Sequence, residues 1–314
     1  MKNASPVEQP DSQTLLNQIV VEFMRERKSN RRWRWFKRIV GLLLILFFIY
    51  MIADFSDEAK GGTKPHIGLV DISGTIFDTQ SANADNFAKG LESAYKNQGL
   101  QALIVRINSP GGSPVQADYM YNLLKYYKKT YPKVNIYAVC VDICASAAYY
   151  VAAAADKIYA DESSMVGSIG VIYNGFGFVD AMQKLGISRR LQTAGTNKAF
   201  LDPFSPTTPE QQSLLQTMLT EIHQIFISRV KQGRGDRLKI DDQIFSGLFW
   251  TGQQSLDKGL IDGFASSGQL ARDLKLDIVD YSFKPTMFEK LSKNLGTAMV
   301  DQLFFALAPS KFTS

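Results

Sequence analysis

The 314-residue sequence predicts an α/β domain with mostly parallel strands, carried behind a single N-terminal membrane-spanning helix. Three observations predict it. From residue 66 onward, short apolar strands alternate with helical stretches, the pattern of parallel strands joined by crossover helices. Residues 39–53, IVGLLLILFFIYMIA, form one uncharged apolar run. With 45% hydrophobic and 21% charged residues, the chain has ample material for a core, which excludes disorder throughout.

The net charge of +5 belongs to the tail. Residues 1–38 hold nine Lys/Arg against four Asp/Glu, so the remainder is balanced and gives no support to nucleic-acid binding. The run at 39–53 is short for a bilayer core of about 30 Å, but Trp33, Trp35, Phe36 and Phe55 suit the interface, and Lys37 and Arg38 can snorkel. Five Lys/Arg at 31–38 precede the run, and Asp54, Asp57 and Glu58 follow it, so the tail is expected in the cytoplasm and the bulk of the chain outside. A buried helix or a cleavable signal peptide ending near Ala59 and Gly61 are the alternatives. Against cleavage, 38 residues precede the apolar run, far more than a usual leading segment. Upstream, Leu15, Leu16, Ile19, Val20, Phe23 and Met24 recur at helical spacing, as in an interfacial amphipathic helix or a loosely ordered tail.

SDEAKGGTKP at 56–65 reads as a linker. HIGLVDISGTI (66–76), ALIVRIN (102–108), VNIYAVCV (134–141), KIYA (157–160) and IGVIY (169–173) read as strands. Helices are expected over Ala117–Lys128, with Tyr119, Leu123, Leu124 and Tyr127 on one side, and over about Ala145–Ala155. A long helix is expected over Pro209–Lys231, with Leu214, Leu215, Met218, Ile222, Ile225 and Phe226 as its core stripe. The apolar cluster Met299–Leu307 has no evident partner.

Three segments can carry chemistry. Asn108-Ser109-Pro110-Gly111-Gly112 follows a buried strand, and adjacent glycines let backbone N–H groups point outward; such a turn is also common without function. Cys144-Ala145-Ser146-Ala147-Ala148-Tyr149-Tyr150 places a serine where a strand gives way to a helix, as a capping residue or as a nucleophile beside oxyanion donors. Gly167-Ser168-Ile169-Gly170-Val171 is followed, 30 residues after Ser168, by Lys198 in AGTNKAF. A lysine there is solvated, or, if buried, becomes a base near neutral pH. Two Cys, Cys140 and Cys144, are too few for zinc and read as buried small residues. His66 and His223 read as structural or surface residues, and Asp142 as a buried hydrogen-bonding partner with no catalytic role.

Together these segments resemble the signal peptide peptidase A family of membrane-bound serine peptidases, related in fold to the Clp protease subunit and the crotonases. The resemblance rests on NSPGG at 108–112, ASAAYY at 145–150 with ADKIYA at 155–160, GSIGV at 167–171 and Lys198. FWTGQQSLDKGLIDGFAS at 249–266 also looks like the family's TG-x-x-A-x-x-x-GL-[IV]-D signature. It covers roughly 65–280. Two departures stand out: Ala147 and Ala148 replace the usual Gly after the nucleophile, and Gln254-Ser255 replaces the Ala-containing pair.

The resemblance implies a crotonase/Clp-like domain of repeated β-β-α units over 66–280, after a tail (1–38), an anchor (39–55) and a linker (56–65), with an extension at 281–314. It implies a Ser/Lys dyad: Ser146 as nucleophile, Lys198 as base, Ser168 orienting the lysine, and the Gly112 and Ala147 N–H groups as oxyanion hole. Both catalytic residues are expected from this one domain. No metal or organic cofactor is required. The expected setting is a bacterial cytoplasmic membrane, with lipid contact through 39–53, peptide substrates such as cleaved signal peptides, and a homo-oligomer. The rival readings are a protease that trims a stomatin-like membrane partner, an inactive scaffold of the same fold, and a crotonase acting on acyl-CoA.

Overall fold

The computed structural model describes residues 64–284, the helical stretch 35–50, and residues 20, 21 and 33. The stripe expected at 15–24 (apart from Val20 and Val21, both helical), the linker at 56–63 and the cluster Met299–Leu307 lie outside the described residues. The chain divides into two units, 1–61 and 62–314. In the first, 35–50 is helical and its apolar side chains are exposed, Leu44 and Phe48 among them. No helix among the described residues is long and apolar enough to cross a membrane.

The second unit is built on one sheet. Its first half alternates strand and helix: β1 (His66–Ser73), α1 (Ala84–Tyr95), β2 (Leu100–Ser109), α2 (Pro114–Thr130), β3 (Asn135–Ala145) and α3 (Ala147–Ala152). Two strands then follow in succession, β4 (Lys157–Ala160) and β5 (Met165–Gly167), before α4 (Val179–Lys184) and the long α5 (Pro209–Arg234). The remainder is β6 (Phe249–Thr251), α6 (Gly252–Asp257), β7 (Gly263–Phe264), α7 (Ser267–Leu274) and β8 (Asp277–Asp280). A β-β-α run thus occurs only at β4–β5–α4 among the described residues; elsewhere single strands alternate with helices, a correction to the expected repeat. The sheet order is β6-β5-β3-β2-β1-β8, with β4 pairing both β3 and β7. Every pairing is parallel except β5 with β6.

β2 is apolar almost throughout because both its faces are covered. On one face Leu103, Val105 and Ile107 pack with Phe87, Leu91, Met120 and Leu124 of α1 and α2. On the other, Ile67, Leu69, Ala102, Ile104 and Val139 meet Leu270 of α7. Farther along that second face the strands turn polar, at Asp71, Arg106 and Asn108. All six residues of α3 are buried, which is why it has no polar side.

Three expectations are corrected. No strand forms at 169–173: Gly167 and Ser168 take φ of 110° and 51°, which turns the chain out of the sheet, and Ile172 is 86% exposed. In α5 only Phe226, Val230 and Arg234 are buried, while Leu214, Met218 and Ile225 of the expected stripe are exposed. In α2 the buried side is Ala117, Met120, Tyr121 and Leu124, leaving Tyr119 exposed. Ser255 is buried, and its hydroxyl finds no partner among the described residues, so this departure from the TG signature leaves a polar atom uncompensated.

The C-terminal end of α5 is fixed by a buried ion pair. Arg234 is 1% exposed, with Nη1 and Nη2 donating to Asp262 at 2.7 and 3.0 Å and Nε donating to the Gly259 carbonyl. Burial works against ionisation of Asp262, but hydrogen bonding and charge from Arg234, the Ile158 N–H and Arg237 prevail, holding its carboxyl below the ordinary range. A carboxyl depressed by folding stabilises above its unfolded pKa of about 4, and that contribution is lost as pH falls through the folded value. Asp262→Ala strands a buried guanidinium and should cost about 3 kcal/mol in urea unfolding at pH 7, with the difference from wild type shrinking below pH 4.

Candidate active site

β3 changes partners along its length. Tyr137–Val139 pair with β4 and Ile143–Ala145 with β5, so the strand end is steered between β2 and β5. At that end sits Ser146, with φ 54° and ψ −126°, followed at once by α3. A non-glycine residue seldom holds this geometry unless its surroundings impose it. Here they do: the Ser146 N–H donates to the Gly167 carbonyl at 2.8 Å, and the Gly111 turn presses on it from the other side. A Cβ on Gly111 would lie 2.7 Å from Ser146 Cβ and 2.9 Å from Ala147 N, so only glycine fits there. The Ser146 side chain makes no capping bond, which sets aside the capping role.

Ala145 and Gly167 are paired across β3 and β5, and Ser146 and Ser168 are the residues that follow them. Ser168 is fixed by its own N–H, which donates to the Leu248 carbonyl at 2.8 Å, and Trp250 of β6 packs on Gly167. Gly112 bridges to Ile76 through its neighbours' groups, Ile76 N to Gly111 O and Ser113 N to Ile76 O, which leaves its own N–H unspent. Ala147 is the first residue of α3, and its N–H has no acceptor within the helix. Four of the five predicted site residues, Ser146, Ser168, Gly112 and Ala147, are therefore gathered at the C-terminal ends of β2, β3 and β5.

Lys198 is not among them. It is exposed on the irregular segment between β5 and α5, and its Nζ has no hydrogen bond or ion pair among the described residues. That segment is organised locally: Arg189 and Ser205 both donate to Asp202, whose carboxyl they hold down at about 2, and Arg189 lies over the Phe204 ring. Several of its apolar side chains face solvent, Ile172, Phe176 and Leu185 being at least 74% exposed.

The other sequence candidates fall into packing roles. Cys140 and Cys144 are free and buried, and burial together with the neighbouring thiol pushes Cys144 up, away from a reactive thiolate. His66 is buried against Tyr281, and His223 of α5 bonds the Ile169 carbonyl at 2.9 Å. Asp142 does accept a hydrogen bond, from Asn108 at 2.7 Å, but it is exposed. Sequence reasoning assigned no task to Asn108, and it gave Gly111 an outward-pointing N–H but not its close approach to Ser146. The signal for Asn108 was present, as a polar residue near the end of a largely apolar strand.

Residues 128–278 match the profile of peptidase family S49. A Synechocystis protein with a provisional protease name is 31% identical over 203 residues, covering 65% of this chain and 71% of its own. The chain belongs to peptidase family S49. Other relatives differ more in extent. A Brucella abortus protein named Na(+)/H(+) antiporter NhaA is 41% identical over 182 residues, 58% of this chain but 25% of that one. An Enterococcus faecium protein with the provisional name signal peptide peptidase SppA is 26% identical over 224 residues, 69% of this chain and 64% of its own. The S49 chain thus spans about a quarter of the Brucella relative and just under two thirds of the Enterococcus one.

Proposed function

We propose that this S49 chain is a membrane-anchored serine endopeptidase in which Ser146 is the nucleophile and Lys198 the general base. The observation that carries the reading is Ser146 itself, held at a left-handed φ between β3 and α3, free of any capping bond and flanked by two unspent N–H groups. Ser146 Oγ attacks the peptide carbonyl while neutral Lys198 Nζ takes its proton and returns it to the leaving amine. Ser168 accepts a hydrogen bond from the lysine and orients it. The Gly112 and Ala147 N–H groups receive the oxyanion, each worth on the order of 3 kcal/mol in the transition state.

A lysine serves as base only when neutral, and exclusion of water favours that form. The segment bearing Lys198 exposes Ile172, Phe176 and Leu185, and a second subunit covering this apolar surface would dry the site. The uncharged run 39–53, helical over the described part, supports an anchor in a bacterial cytoplasmic membrane with the catalytic unit outside. Tethering raises the effective concentration of membrane-bound segments, so the substrates are cleaved signal peptides and other extended apolar peptides. The test is covalent labelling of the detergent-solubilised full chain with a fluorophosphonate. An adduct mapped to Ser146 by mass spectrometry is expected; a chain that neither reacts nor cleaves peptides would leave a scaffold of the same fold.

A further inference from the structure

We infer that Asn108 is a positioning residue for the nucleophile, acting through Asp142 and the bend in β3; this rests on the peptidase reading above. The β2–β3 ladder breaks between Ile107 and Ser109, where β3 leaves β4 and moves to β5. Asn108 stands at the break, and its side chain replaces the missing ladder contacts. Oδ1 accepts the Ile143 N–H at 3.2 Å, and Nδ2 donates to Asp142 Oδ2 at 2.7 Å. The Asn108 carbonyl accepts the Gly74 N–H at 2.9 Å, so the residue is itself anchored to the end of β1. From the far side Ser164 Oγ donates to the Val141 carbonyl. The bend at 141–143 is therefore gripped on both flanks, three residues ahead of Ser146.

The amide is the group this position needs, because it must accept from a backbone N–H and donate to a carboxylate at once. Aspartate at 108 keeps the first bond and loses the second. It also sets two carboxylates against each other, an arrangement that resists double ionisation. The charged groups on the adjoining strands do not relieve it. Arg106 of β2 and Asp71 of β1 are committed to each other through two hydrogen bonds of 2.6 Å. On the β5 side, Asp161 Oδ1 is taken by the Ser163 N–H.

Asn108→Asp should lower kcat about tenfold with KM little changed, as expected for loss of one charge-assisted hydrogen bond. Its activity relative to wild type should recover as pH falls, when one proton restores the donor. The double variant Asn108→Asp/Asp142→Asn exchanges the two side chains and satisfies every bond again, so it should return to within about threefold of wild type, on the scale of context effects around one hydrogen bond. Thermal unfolding of each variant checks that the fold is intact, and amide exchange at Ile143 should speed up in the single variant and slow again in the double. A single variant with the wild-type rate and pH profile, or a double variant no better than the single, overturns the inference. A wild type that neither cleaves peptides nor is labelled at Ser146 instead removes the peptidase reading on which it stands.

Discussion

Ser146→Gly is expected to abolish peptide hydrolysis, by at least about a thousandfold, while making the protein more stable by about 1 kcal/mol. The two effects have opposite signs because the residue serves chemistry and not the fold. At φ 54° and ψ −126° any side chain with a Cβ is strained, glycine is not, and the serine hydroxyl makes no capping bond that would be lost. Part of the gain is offset by the greater freedom of glycine in the unfolded chain. Ser146→Ala keeps the strain and loses the hydroxyl, so it should be inactive at wild-type stability. Peptide turnover and urea unfolding on the same preparations check both. Retained turnover in either variant would move the nucleophile elsewhere.

Lys198→Arg is expected to lose at least about a hundredfold in kcat although it keeps the positive charge. The guanidinium stays protonated at any accessible pH and cannot accept the serine proton. Because Lys198 is exposed, with no ion pair among the described residues, the substitution should leave the fold unchanged, and thermal unfolding verifies this. Any catalytic loss then reports on proton transfer. An arginine variant that turns over normally would mean that the proton goes to another group.

The sequence made the parallel sheet legible where a strand is buried on both faces, because β2 reads as an unbroken apolar run over Ala102–Val105. It misled where burial was assumed from apolarity alone. Ile169–Tyr173 has the composition of a strand, yet the left-handed turn at Gly167-Ser168 takes it out of the sheet and of its five residues only Ile169 is buried. The stripe Leu214, Met218 and Ile225 has the period of a core face, but the sheet is already covered by α1, α2 and α3, and these side chains face out. Such a pattern records what a surface can bury, not which partner buries it. At the site, the glycine pair and the serine between alanines were legible because their chemistry is local. The grip of Asn108 on Ile143 and Asp142 was not, since it joins residues 34 and 35 positions apart. Lys198 was singled out by its motif, and it stands exposed between β5 and α5.

The most direct test is the pH dependence of peptide cleavage by wild type and Lys198→Ala, between about pH 6 and 10. The substrate is a fluorogenic peptide with a small residue before the scissile bond. A Ser146/Lys198 dyad gives a wild-type rate that rises with pH, as a general base requires, and an alanine variant inactive throughout. Equal rates for the two proteins with the same profile would contradict it, since the serine would then be activated without Lys198.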